Sequence, residues 1–166
     1  MNLFLPDERR RRITDIPAAY FAEIGVRALV LDIDNTLTTH DNLAPGEGVP
    51  DWLAAVQKAG VRCMMLSNNS PERVEPFAGM LRLPFEANGK KPLPGGVRRA
   101  CRAMNVPVHE AALVGDQIFT DVLAARLAGV YSILVDPIEP EKTRFFRLKR
   151  RLERPFLAAF DRRRSI

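Results

Sequence analysis

Residues 28–31, Ala-Leu-Val-Leu, form a short unbroken apolar run that ends abruptly in Asp32 and Asp34. A strand that is apolar on both faces must be covered on both, which in practice means a parallel sheet between layers of helix. Two further runs behave alike. Val-Arg-Cys-Met-Met-Leu at 61–66 gives way to Ser67-Asn68-Asn69, and Ala-Ala-Leu-Val at 111–114 gives way to Gly115-Asp116-Gln117, with Thr120 and Asp121 just beyond. Open α/β sheets bind ligands outside the carboxyl ends of their strands, so these polar residues are expected to gather on one side of the sheet.

Helical patterns alternate with the apolar runs, as a parallel sheet requires. The patterns predict helices over 17–24, 50–59, 71–80, 93–104 and 118–127, and five strands over 27–32, 61–66, 84–86, 111–115 and 130–135. Gly60 and Gly129 stand where helices end, and Ser70-Pro71 supplies an N-cap and a proline at the first helical position. On the helix over 50–59, Trp52, Leu53 and Val56 mark the face that packs on the sheet. With 166 residues and 46% hydrophobic content, one core and one domain over 1–166 are expected.

Cys63 and Cys101 lie in apolar stretches without metal-ligand spacing, so both are expected to be reduced and buried. The segment before Asp7 and Glu8 is too short for a secretory h-region, and the apolar runs fall far short of a membrane span. A cytoplasmic location is therefore expected. His40 and His109 lack partners at ligand or triad spacing and are expected on the surface or in loops.

Charge is unevenly placed. Residues 142–166 hold ten Lys and Arg against two acids, net +8, while residues 1–141 hold 15 against 18, net −3. In the segment 141–166, Phe145, Leu148, Leu152, Phe156, Ala159 and Phe160 fall on one helical stripe, with arginines mostly elsewhere. Pro155 should kink or restart that helix. Such a helix either lies on an anionic membrane surface or packs on the protein's own core, and the pattern fits both. The arginine run 9–12 is expected to be a solvated face.

In order and placement, Asp32-x-Asp34-x-Thr36, Ser67-Asn68, Lys91-Pro92 and Gly115-Asp116-Gln117-x-x-Thr120-Asp121 resemble the four motifs of the haloacid dehalogenase (HAD) superfamily. The flanks narrow the resemblance. Leu5-Pro6-Asp7, Asp34-Asn35-Thr36-Leu37, Ser67-Asn68-Asn69, Thr120-Asp121-Val122-Leu123, Pro137-Ile138 and Thr143-Arg144-Phe145 are similar to the YqeG family of HAD phosphatases over nearly the whole chain.

That resemblance implies a Rossmann-like HAD fold and a Mg²⁺-dependent phosphatase. The gaps between motifs hold one helix or one helix and a short strand, too little for an inserted cap, so an open site is expected. Asp32 would be the nucleophile, forming an aspartyl-phosphate, and Asp34 the general acid and base. Asp116 would hold Mg²⁺ beside Asp32 and the main-chain carbonyl of Asp34, with Asp121 supporting the metal from behind its ligands or holding the lysine. Thr36, Ser67 and Asn68 would meet the phosphate, and Lys91, which directly precedes a proline, is preferred over Lys90 as the stabilising cation. The family includes phosphatidylglycerophosphate phosphatases, which makes a membrane lipid headgroup the expected substrate and an anionic membrane the expected partner. A phosphatase for a soluble sugar, nucleotide or protein phosphate is the alternative. A third possibility is a module whose basic tail grips RNA, although helically spaced aromatics argue against base stacking and no nucleic acid is expected.

Overall fold

The computed structural model describes residues 2–164. Its strands are β1 (Glu8–Arg10), β2 (Ala28–Leu31), β3 (Arg62–Leu66), β4 (Phe85–Glu86), β5 (Ala111–Gly115) and β6 (Tyr131–Val135). They form one sheet in the order β1-β6-β5-β2-β3-β4, and every neighbouring pair is parallel. The sheet therefore has six strands where five were expected. The extra strand, Glu-Arg-Arg, has no apolar signal because it lies at an edge and is held by its backbone, in register Glu8↔Ile133 to Arg10↔Val135. Arg9 also bonds Asp136 at 2.9 Å and Asp161 at 3.1 Å, so the first half of the arginine run is structural rather than a solvated face.

Helices α1 (Ala18–Glu23), α2 (Val49–Lys58), α3 (Pro71–Leu81), α4 (Gly95–Ala103) and α5 (Leu123–Ala128) connect the strands, and α6 (Arg144–Arg164) follows the last. Alternate strand residues face opposite sides, and each side has its own core. Leu29, Leu31, Cys63 and Met65 pack with Phe21, Trp52, Val56 and Phe77 from α1, α2 and α3. Ala28, Val30, Met64 and Leu66 pack with Val97, Ala100, Ala124 and Ala125 from α4 and α5. Both cysteines are buried and free, and burial pushes the Cys63 thiol up to about 12. The Trp52 indole faces this core and donates to Ile16 O at 2.8 Å.

Two local expectations change. Ser70 occupies the N-cap of α3, but its hydroxyl makes no bond to the helix amides. Pro155 does not interrupt α6, which continues through it. The carbonyl that loses its partner belongs to Arg151, and both residues lie on the exposed side, where water can replace the bond.

The tail stripe divides. Phe156 and Leu157 join Phe4 and Phe119 in a third cluster over Ile118, Val122 and Leu134, and Phe160 is buried. Phe145, Leu148 and Leu152 face outward at 70%, 55% and 56% exposure. Among the described residues no helix is long and apolar enough to cross a membrane. Between β2 and β3 run a loop and α2, and between β3 and β4 only α3, so no cap interrupts the sheet.

Candidate active site

β2 lies between β3 and β5, so the carboxyl ends of these three strands meet at the centre of the sheet. The Asp32 amide extends the ladder by one bond, to Val114 O at 2.9 Å. The chain then turns tightly, with the amides of Thr36 and Leu37 bonding back to Ile33 O and Asn35 at φ 60°. This turn returns Thr36 to Asp32, whose Oδ2 accepts from Thr36 Oγ1 at 3.3 Å.

The other Asp32 oxygen accepts from Lys91 Nζ at 2.5 Å, and the same ammonium donates to Asp121 Oδ1 at 2.6 Å. Lys91 is buried here while Lys90 is exposed, so the structure brings Lys91 to the site. Asn68, expected beside the phosphate, instead spends both ends of its amide on Lys91. Its Nδ2 donates to Lys91 O at 2.9 Å and its Oδ1 accepts from Lys91 N at 2.7 Å. Ser67 is buried, and its hydroxyl accepts from Asn69 N at 3.1 Å.

Asp121 reaches the site on an unusual turn. Residues Ile118–Val122 form a π-helix before α5 begins, a widening common at functional sites. Asp121 lies so close to Gly115 that any Cβ there would collide with its carboxylate. Its Oδ2 accepts from Gln117 N at 3.0 Å, so one oxygen holds the loop and the other the lysine.

Burial pushes the Asp32 carboxyl up to about 6, with the Asp121 charge adding to the effect and Lys91 opposing it. Burial likewise raises Asp116 well above the ordinary carboxylate range, against the pull of Arg150. For Lys91, burial alone would lower the ammonium, but Asp121 and Asp32 outweigh it and hold it above its ordinary value. Carboxylate oxygens of Asp32, Asp116 and Asp121 lie within 4.8 Å of one another. Asp116 Oδ1 is buried without a hydrogen-bond partner, a state that ordinarily costs about 1–3 kcal/mol. An all-oxygen set with an orphaned acceptor fits a hard divalent cation.

Asp34 points toward the start of α3, where Asn69 Nδ2, from the loop before the helix, donates to one oxygen and Arg73 Nη2 to the other, the latter at 2.9 Å. Arg73 also ties down the loop after Asp34 through His40 O at 3.3 Å. His40, expected on the surface or in a loop, lies in that loop, with Nε2 3.4 Å from Glu141 and Nδ1 3.9 Å from Asp34. His109 is exposed beside Glu110.

Sequence reasoning missed Arg73 and Arg150. Arg73 is an isolated arginine one turn into a helix, with nothing periodic to mark it. Arg150 comes from α6, far along the chain, and donates both to the Asp116 carboxylate and to the Asp116 carbonyl. Only the oddly buried acids Glu141 and Glu153 around it hint at its role, and burial is not visible in sequence.

Residues 39–129 match the family model described as haloacid dehalogenase-like hydrolase. The probable phosphatase YqeG of Bacillus subtilis (strain 168) is 32% identical over 165 residues, 99% of this chain and 96% of that protein. Haloacid dehalogenase-like hydrolase domain-containing protein 3 of Xenopus laevis is 27% identical over 70% of this chain, which spans about half (51%) of that protein. An uncharacterized protein from Listeria monocytogenes serotype 4b shares the fold with a TM-score of 0.58 at 18% identity, over 71% of this chain and 85% of that one. With the strand-end aspartates, the buried lysine and the open parallel sheet already placed, these likenesses have one common meaning: the chain belongs to the haloacid dehalogenase-like hydrolases, on their YqeG branch.

Proposed function

We propose that this HAD phosphatase hydrolyses a phosphomonoester on an anionic lipid headgroup, phosphatidylglycerophosphate before any other, using Mg²⁺ at the cytoplasmic face of a membrane. The observation that carries the lipid reading is the outer face of α6. Phe145, Leu148 and Leu152 stand exposed beside Arg144, Arg147, Arg151 and Arg154, four arginines with no ion-pair partner among the described residues. These arginines line a groove of about 850 Å³ between α6 and residues 136–141. Apolar side chains edged by unpaired cations suit the boundary between headgroups and acyl chains. The same helix touches the site loop through Arg150 on its inner face, so a membrane on its outer face would lie one helix diameter, ~10 Å, from that loop.

Asp32 attacks phosphorus along the line of the leaving oxygen, and the bond to that oxygen breaks as the aspartyl-phosphate forms. Asp34, whose two oxygens accept from Asn69 and Arg73 in this fold, must turn from them and carry a proton, which it gives to the departing alkoxide. It then takes one from the water that attacks the aspartyl-phosphate, and inorganic phosphate leaves with Asp32 restored. Lys91 and Thr36, both bonded to Asp32, orient the carboxylate and offset the charge that builds on the phosphoryl oxygens. Asp32 and Asp116, with the Asp34 carbonyl, would hold Mg²⁺, which when bound polarises those oxygens and screens them from Asp32.

The test is phosphate release from phosphatidylglycerophosphate in mixed micelles, against sugar, nucleotide and amino-acid phosphates at matched concentration. The lipid is expected to lead by at least about ten-fold in kcat/KM, roughly 1.4 kcal/mol of transition-state binding. A ten-fold lead for any soluble compound overturns the lipid assignment and leaves the phosphatase.

A further inference from the structure

Helix α6 is bonded to four consecutive residues, Asp116 to Phe119, of the segment that carries Asp116. Lys149 Nζ donates to Gln117 Oε1 at 2.8 Å. Glu153 Oε1 accepts from Ile118 N at 2.8 Å. Between them, Arg150 Nη2 donates to Asp116 Oδ2 and Nη1 to Asp116 O. The guanidinium is in turn fixed from behind, by Glu141 Oε1 at 2.8 Å and 3.2 Å and Glu153 Oε2 at 3.1 Å. Both of these acids are buried.

We propose that Arg150 is a positioning residue for the metal-binding carboxylate of Asp116, so that the seating of α6 sets the affinity of the site for its cation. The inference rests on the divalent-cation reading of that site. A carboxylate free to rotate presents either oxygen in any direction. A planar fork that holds Oδ2 and the carbonyl of the same residue leaves Oδ1 in one place, buried and unpartnered. The clamp adds no net positive charge beside the incoming cation, because Glu141 and Glu153 more than balance it. Groups that orient a metal's ligands typically carry about 10–100-fold in affinity. By linkage, whatever α6 contributes to cation affinity the cation returns to the docking of α6.

Two measurements with Mg²⁺ alone test this on the full chain. Calorimetric titration is expected to give Arg150→Met a dissociation constant raised about ten-fold or more, with Arg150→Lys in between, since an ammonium keeps the charge but cannot span both acceptors. In the unaltered protein, Mg²⁺ saturation is expected to slow amide hydrogen exchange in residues 144–154. This second measurement stands even if the Met variant fails to fold. Normal Mg²⁺ binding by the wild type with unchanged or tighter binding by a folded variant overturns the proposal alone. So does exchange in α6 that stays the same or quickens on loading. No Mg²⁺ binding by the wild type overturns the metal reading and this proposal together.

Discussion

Lys91 sits 2.5 Å from one aspartate and 2.6 Å from another, and replacing either partner should show which bond serves chemistry. Asp32→Asn is expected to lower hydrolysis of a generic aryl phosphate by about three orders of magnitude or more while the protein stays folded, because an amide can still accept from Lys91 but cannot attack phosphorus. A purified variant that keeps wild-type turnover refutes a covalent route through Asp32. A second prediction concerns pH. Asp32 is raised from 3.8 to about 6 in the metal-free fold, so between those values the folded chain holds a proton that the unfolded chain has lost. Metal-free stability therefore falls as pH rises through that window. A bound cation favours the ionised carboxylate, so the gap in Tm between Mg²⁺ and chelator should widen from about pH 5 to about pH 7. A gap that narrows, followed by thermal melts at matched ionic strength, contradicts the assignment. Asp32, Asp34, Lys91, Asp116 and Asp121 were legible because each stands beside a strand end or a proline in a recognisable order. The partners of Asp34 and Asp116 were not, since Arg73 and Arg150 are single arginines in helices and only the folded chain selects them from the others. Asn68 was legible as a site residue, but not as a clamp on the lysine backbone.

Among the elements, α6 was predicted as a helix but not as a helix with two employments. Its apolar stripe is one row on paper. In the fold the row divides along the helix: Phe156 and Phe160 turn inward while Phe145, Leu148 and Leu152 stay outside. Replacing these three outer residues by Ser should weaken binding to anionic vesicles by at least about ten-fold, given the roughly 1.5–3 kcal/mol available from each fully buried side chain. Aryl phosphate turnover should be unchanged, and vesicle sedimentation beside a turnover assay checks both. Equal vesicle binding by variant and wild type removes α6 from the membrane reading. Removing residues 142–166 is a different experiment, because it uncovers Ile118, Val122 and Leu134 and withdraws Glu153 from the Ile118 amide. Loss of large buried side chains costs about 2–5 kcal/mol each, so the shortened chain should melt far lower or fail to fold, as a denaturant titration would register. β1 was illegible for a related reason. A three-residue edge strand is specified by its partner's backbone, and Glu-Arg-Arg carries no hydrophobic period from which to read it.

At the scale of the whole molecule, charge is polarised. The acidic body carries the site and the basic tail, net +8 over residues 142–166, borders it. Each basic residue near an anionic surface contributes about 1 kcal/mol, an amount that salt screens within a Debye length of about 10 Å at 0.1 M. Vesicle binding should therefore fall steeply between about 0.05 and about 0.5 M salt, and binding that does not respond to salt would mean that the arginines face something other than lipid. The sheet carries a further consequence, in the order in which the chain is made. β1 leaves the ribosome well before its sheet partner β6, with Glu8 waiting for Ile133. Arg9 waits longer still for Asp161, and Phe4 for Phe156. β1 is thus a latch that can be added to the sheet only once β6 exists. Its contacts with α6 can form only after that helix, which also carries Arg150, so a nascent chain already holding Asp32, Lys91 and Asp116 remains without the arginine clamp until α6 has been synthesised and fastened down.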